Sequence, residues 1–353
     1  MLFTYTYVPH QMDKMQRFID FIFHEVWCKA PIGLDFQPDL FDGEPDLKEV
    51  MTEFGFSTKA AVRGKTFYKD IKAIYELFAP LSPQDIDQFK LWYGGNNDLE
   101  RVCANDPNIR IVRYADIPVA QKELSEQLAG FFKDLYSQSL LNLAPLRAKI
   151  GDINDHYQTF VATNKPKKCP FCGITIIKRS NHTKREAYDH YLPKALYPFN
   201  SINFRNLAPA CHDCNSAYKG TKDPIHNAKG RRKAFNPYSK TAHVVRIKIT
   251  LTHTDFDRLG DSDIIMEFGP TDLVEELETW RDLYGIDERY KAMLRDGDAQ
   301  YWFQQVVDEG LPTNEQIAER LKKILKDAQN SPYAEYNFLK RPFLEACQQM
   351  GLF

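Results

Sequence analysis

From Met15 onward the apolar residues Phe18, Ile19, Ile22, Phe23 and Val26 recur at helical spacing and draw one apolar stripe, the mark of a helix that buries one face against neighbours. A second helix is predicted from Ser82-Pro83-Gln84-Asp85, where a good cap precedes a proline in the first turn, and Gly94-Gly95 is expected to end it. Asn108 to Tyr114 (NIRIVRY) reads as a short strand, Ile117 to Leu143 as a long helical stretch, and Pro31 to Asp46, rich in Pro, Gly and Asp, as a loop. Near the other end the periodicity changes. Val245, Ile247, Ile249 and Leu251 alternate with Arg246, Lys248 and Thr250, the signature of a half-buried strand, and Ile264 to Phe268 is its expected hairpin partner. Helix then returns, with Leu273, Leu277 and Trp280 on one stripe. Thr313 and Gln316 form a capping box for a helix carrying Ile317, Leu321, Ile324 and Leu325, which Ser331-Pro332 stops.

Between these two regions the pattern is set by chemistry more than by hydropathy. Cys169/Cys172 and Cys211/Cys214 are two Cys-x-x-Cys pairs, each with the spacing that lets a short knuckle offer two thiolates to one tetrahedral Zn²⁺. Gly173, directly after the second cysteine, suits a tight knuckle in which backbone N–H groups turn toward sulfur. Asp189 and His190 follow a short strand-like stretch, Asn206 precedes the second pair, and Asn215 follows its last cysteine at once. A carboxylate, an imidazole and two carboxamides are the parts needed to hold a hard divalent cation and activate a water beside it.

The order C-x-x-C, D-H-x-x-P, N-L, C-x-x-C-N-x-x-x-K resembles the HNH endonucleases of ββα-metal fold, in the version with a four-cysteine zinc frame. The resemblance implies that His190 is the general base and that Asp189 and Asn215 hold a catalytic Mg²⁺ or Mn²⁺. Asn206 would brace the base and its loop, and Lys219 would contact phosphate. The last ligand is Asn where the most familiar version has His, and a neutral oxygen donor favours Mg²⁺ or Mn²⁺ over a catalytic Zn²⁺. Two strands are expected at Arg185 to Tyr188 and Asn203 to Leu207, and a helix at Asp213 to Lys219. The stretch TWRDLYGIDERY (Thr279 to Tyr290) is similar to the tail that follows the nuclease module in HNH proteins of bacterial anti-phage defence loci.

Charge sharpens this division. The 353-residue chain is nearly neutral at −2, but residues 1–164 carry −6, residues 165–240 carry +12 and residues 241–353 carry −8. Positive charge gathered on the metal motif is the footprint of a polyanion site, and Lys219, Lys222, Arg231 and Arg232 are the candidate phosphate contacts. Thr163 to Lys168 reads as the linker into the module. His24, Trp27, Trp92 and Tyr93 read as core and edge aromatics, and His10 and His156 as surface or locally bonded histidines. His182, His212 and His226 are expected outside the metal's inner sphere, and Cys28, Cys103 and Cys347 are expected to be free thiols. No apolar run approaches a membrane span and the N-terminus lacks a signal-peptide pattern, so a cytoplasmic protein is expected.

The expected architecture is α+β: a zinc-stapled ββα-metal module (165–240) between a mainly helical N-terminal region (1–164) and a β-hairpin plus helical C-terminal region (241–353). The expected activity is metal-dependent hydrolysis of DNA phosphodiesters. A sensor or ATPase protein is the expected partner for the acidic flanks. Two alternatives stand beside it, a non-catalytic zinc-ribbon nucleic-acid binder and a nuclease acting on RNA.

Overall fold

The predicted apolar stripe near the N-terminus forms helix α1 (Asp13–Phe21), and Ile22–Val26 and Trp27–Ile32 extend it as a π-turn and a 3-10 turn that bury Ile22, Phe23, Val26 and Trp27. The computed structural model describes residues 1–241, 243–307, 310 and 313–353. Helices α2 (Pro45–Phe56) and α3 (Val62–Phe78) pack beside this first element. They are followed by α4 (Pro83–Asn97), which has the expected capping box between Ser82 and Asp85, and by the short α5 (Leu99–Cys103). Trp27 and Tyr93 are core aromatics: the indole donates to the Ile71 carbonyl (3.0 Å), and Tyr93 stacks on Phe23 at 4.0 Å.

Two expectations fail together around α4. Gly94-Gly95 does not end the helix, because the Arg110 carbonyl packs onto Gly95 so closely that a Cβ there would lie 1.8 Å from its oxygen. The glycine marks a close backbone approach. The segment approaching it, Asn108 to Tyr114, is not a strand: it leaves a turn at Asn108, is irregular from Arg110 to Arg113, and enters a 3-10 turn at Tyr114. Instead of a partner strand, the buried Asn96 side chain accepts from Val112 N–H (3.0 Å) and donates to the Val112 carbonyl (2.9 Å). One carboxamide thus supplies the hydrogen bonds that a ladder would have given.

The long helix expected at Ile117 to Leu143 is broken into a 3-10 turn, α6 (Lys122–Leu135) and α7 (Gln138–Leu141), then α8 (Ala144–Ile150) and α9 (Ile153–Asn164). His156 on α9 is buried, not a surface histidine, with its ring against Phe204 and Nδ1 on the Tyr188 hydroxyl.

Strands β1 (Ala187–His190) and β2 (Leu207–Ala210) form an antiparallel pair with Asp189 opposite Ala208 and His190 opposite Leu207. Both lie a few residues C-terminal to the expected positions. A π-helix, Asp213–Lys219, follows β2 directly and completes the ββα order. Two-residue strands β3 (His226–Asn227) and β4 (Gly230–Arg231) pair next. The alternating segment forms β5 (Arg246–Leu251), paired with β6 (Ile264–Gly269) in the expected hairpin. Helices α10 (Val274–Tyr284), α11 (Ile286–Arg295), α12 (Gly297–Gln304), α13 (Asn314–Asn330) and α14 (Asn337–Gln349) end the chain, and β5 lies on α14.

One hydrophobic core runs through all three sequence regions. The N-terminal segment is threaded through the middle region: Leu2 N–H donates to the Pro170 carbonyl and Tyr5 N–H to the Pro237 carbonyl, each at 2.8 Å. No described helix is long and apolar enough to cross a membrane.

Candidate active site

The first cysteine pair sits on a tight knuckle. Gly173 N–H donates to the Cys169 carbonyl (2.7 Å), Ile174 N–H to Cys172 Sγ (3.4 Å), and Cys169 N–H to the Thr175 carbonyl (2.8 Å). Gly173 has φ +71°, and an added Cβ would strike Leu2 and Phe338, so the position requires glycine. The second pair spans the junction of β2 and the π-helix, where Asn215 N–H closes onto the Cys211 carbonyl (3.0 Å). All four Sγ atoms are buried and lie within 4.8 Å of one another, with Cys172 and Cys211 at 4.0 Å. A tetrahedron with Zn–S bonds of about 2.3 Å has edges of about 3.8 Å, so the cluster fits one zinc ion. Mutual hydrogen bonds with Cys169 and then Cys211 and Cys214 hold the Cys172 thiol well below the usual range. Cys28, Cys103 and Cys347 are unpaired and buried.

This knuckle is gripped by the C-terminal helices. Trp280 Nε1 donates to the Phe171 carbonyl (2.6 Å) and the Tyr290 hydroxyl to the Cys172 carbonyl (2.8 Å). Arg289 Nη1 lies 3.3 Å from Cys214 Sγ, with the guanidinium 4.5 Å from the Tyr218 ring centroid. Gly285, at φ +57°, leaves room for Tyr218. Trp280, Gly285, Arg289 and Tyr290 all fall in the TWRDLYGIDERY block, so its local pattern is explained by contact with the cysteine frame and the helix behind it. Hydropathy alone gave no sign of this contact.

Asp189 and His190 end β1. The Asp189 side chain is only 3% exposed and its Oδ1 accepts from Lys219 Nζ (2.8 Å), while Lys219, itself 0% exposed, also donates to the His190 carbonyl (2.9 Å). Oδ2 is buried and has no hydrogen-bond partner among the described residues. Burial raises the Asp189 carboxyl above its ordinary range and Lys219 opposes that shift. A buried carboxylate oxygen without a donor suits a cation ligand, since such a group is otherwise costly. Asn215 lies one turn before Lys219 on the π-helix, and that helix packs against β1.

His190 Nε2 lies 2.9 Å from the Ser201 carbonyl, which can only accept, so the proton is on Nε2 and Nδ1 carries the lone pair. Burial, followed by the charge of Lys194, pushes the imidazole down to about 3. Tyr136, at the end of α6, meets the ring edge-on at 4.9 Å. Asn206 is fully buried and clamps the intervening loop: its Oδ1 accepts from Leu192 N–H (2.7 Å), and its Nδ2 donates to the Leu192 (3.1 Å) and Asn200 (3.2 Å) carbonyls. That loop carries Ser201, so Asn206 reaches His190 through the loop. Tyr136, Ser201 and Lys194 carry no motif signal and were not expected at the site.

The basic candidates are redistributed. Lys219 and Arg232 are not free phosphate contacts, because each is buried and held by partners: Lys219 meets the buried Asp189, and Arg232, 8% exposed, meets the exposed carboxylate of Asp282 at 2.7 Å and the Asp223 carbonyl at 2.8 Å. Arg231 is half-buried and donates to the Asp106 carbonyl (3.3 Å). Lys222 is exposed and donates to the Asp282 carbonyl (3.1 Å). His212 is exposed, His182 bonds locally to Arg179, and His226 Nδ1 lies 3.0 Å from the Tyr197 hydroxyl.

The chain is 37% identical over 86 residues to protein ea31 of Escherichia phage lambda, covering 24% of this chain and 26% of that protein. It is 41% identical over 64 residues to the Septu protein PtuB of Bacillus thuringiensis, covering 17% and 23% respectively. The matched part thus spans about a quarter of the length of these curated relatives. No family model and no solved structure matches the chain.

Proposed function

We propose that this chain is an HNH-type endonuclease that hydrolyses DNA phosphodiester bonds and serves in anti-phage defence. The observation that carries the reading is the succession, at one strand end, of a histidine whose Nε2 is held by the Ser201 carbonyl, which leaves Nδ1 to accept, and a buried carboxylate with one oxygen unpartnered among the described residues. The four-cysteine frame holds the helix that follows β2 against that strand. A non-catalytic zinc ribbon has no use for an orphaned buried carboxylate, which argues against that alternative.

In this reading His190 takes a proton from water at Nδ1 while Nε2 stays anchored on Ser201, so the ring need not reorient during proton transfer. Asp189 Oδ2 and Asn215 would hold one Mg²⁺ or Mn²⁺, whose role when bound is to neutralise charge on the phosphate oxygens. Asn206 fixes the loop that anchors the base. The similarity to a Septu protein supports the defence role. The acidic flanks, at −6 and −8, are surfaces for a sensor or ATPase partner.

The deciding experiment is a cleavage assay on duplex DNA and on RNA with Mg²⁺ or Mn²⁺, comparing wild type with His190→Ala. A drop in DNA cleavage of about a hundredfold or more in a folded variant is expected. Cleavage of RNA alone would move the substrate to the second alternative, and unchanged cleavage in the variant would remove His190 from the reaction.

A further inference from the structure

We infer that Lys219 is the resident counter-ion of the divalent-cation site: it neutralises Asp189 in the metal-free protein, keeps one carboxylate oxygen free, and weakens cation binding until substrate arrives. The inference rests on the proposed cation site and adds to it a residue that sets the site's charge.

Lys219 Nζ has two fixed acceptors, Asp189 Oδ1 at 2.8 Å and the His190 carbonyl at 2.9 Å, and its side chain is wholly buried. It is therefore tied at once to the metal-binding residue and to the backbone of the base. Its bond to Oδ1 orients the carboxylate, and the oxygen left over, Oδ2, is the one without a partner. A lysine placed to contact phosphate would need its ammonium at the surface, and this one has none of its side chain there.

The balance of charge gives the consequence. Asn215 brings no charge, and the buried ion pair of Asp189 with Lys219 leaves the proposed ligand set without net negative charge. A divalent ion reaching it meets a lysine ammonium held on the same carboxylate, and with both side chains buried that repulsion is only weakly screened. The missing negative charge is supplied by a phosphodiester. Cation and nucleic acid should therefore bind cooperatively, each weakly alone, which confines the loaded site to the complex. Lys219 is a positioning residue in this scheme and touches neither water nor phosphate.

The test is Mn²⁺ binding, followed by electron paramagnetic resonance and by thermal melting, on the full-length zinc-loaded protein without nucleic acid. Asp189→Asn, Lys219→Met and the double variant are compared with wild type. Lys219→Met is expected to bind Mn²⁺ about tenfold or more tightly than wild type and to gain more melting temperature from Mn²⁺, because the ion takes over the missing positive charge. The double variant, with neither charge, should fold without Mn²⁺ and show no such gain. Equal or weaker Mn²⁺ binding in folded Lys219→Met overturns the inference. Should that variant not fold alone, the ion is expected to restore it; failure to do so, with or without folding of the double variant, also overturns it. Binding that is unchanged by Asp189→Asn would instead count against the cation site itself, which separates the two failures.

Discussion

A histidine that is to accept a proton at neutral pH must be uncharged beforehand, and His190 is kept so by burial and by Lys194 nearby, which hold it at about 3. The rate of cleavage should then show no one-proton fall centred near the ordinary imidazole value of about 6.5. A pH–rate profile with saturating metal checks this, and an inflection there would mean that the base titrates freely. Asp189→Ala and Asn215→Ala should lose activity through the cation, so raising Mn²⁺ should recover part of it, whereas His190→Ala should not respond. His156 carries the same logic into stability. It is 2% exposed and burial likewise lowers it to about 3, below its unfolded value. A lowered folded value means that the unfolded chain binds the proton first, so stability is full above about 6.5 and declines as pH falls from there toward 3. By pH 5 the penalty from this one residue is on the order of 2 kcal/mol. Melting temperatures should fall between pH 7 and 5, and His156→Gln should flatten part of that fall.

At the level of elements, the four-cysteine frame shows what a sequence makes visible and what it hides. The two cysteine pairs, the Asp-His pair and the order strand, strand, helix are local, and they could be read because each depends on residues close in sequence. The strands lie a few residues later than hydropathy suggested, since their limits are set by where β1 meets β2 and not by either alone. The strand expected at Asn108 to Tyr114 failed because its partners are the Asn96 side chain, which takes both groups of Val112, and the Leu196 carbonyl, which accepts from Tyr114 N–H (2.9 Å); no periodicity reveals either. Gly94-Gly95 misled for a similar reason: the glycine admits a distant carbonyl instead of ending a helix. The same kind of long-range packing seats α10 and α11 on the first knuckle through Trp280 and Tyr290, and brings Arg289 to the second cysteine pair. Cys214→Ser should therefore lose zinc and, with it, folding of this region, because the metal ties segments far apart in sequence. Metal analysis and melting read both effects. Arg289→Met should retain zinc but surrender it faster to a chelator, as the thiolates no longer have a positive charge beside them. An unchanged release rate would reduce Arg289 to a packing role.

Over the whole molecule, the segregated charge and the shared core pull in different directions. Positive charge is concentrated at residues 165–240, yet that stretch is held by Leu2, Tyr5, Trp280 and Tyr290 from outside it. Zinc alone should not fold it, so an isolated fragment of these residues is a poor test of where nucleic acid binds. The full chain is the proper test, and the structure decides which basic residues to change. Substituting Lys219 removes a buried counter-charge and substituting Arg232 removes a buried side chain held by Asp282 and the Asp223 carbonyl, so the expected effect is lower stability rather than a weaker salt dependence. Arg179, Lys184, Lys222 and Lys229 are exposed cations of the same stretch. Their replacement by Ala should weaken DNA binding on all sequences alike, and each phosphate left without its cation should reduce the slope of log affinity against log salt by about 0.9. Binding titrations from low to moderate salt measure that slope. If it is unchanged in the fourfold variant but falls when Lys194, whose charge acts on His190, and Lys133 on α6, whose carbonyl accepts from Lys194 (2.8 Å), are replaced, the nucleic acid enters across α6. The acidic N-terminal region would then form one wall of the substrate path.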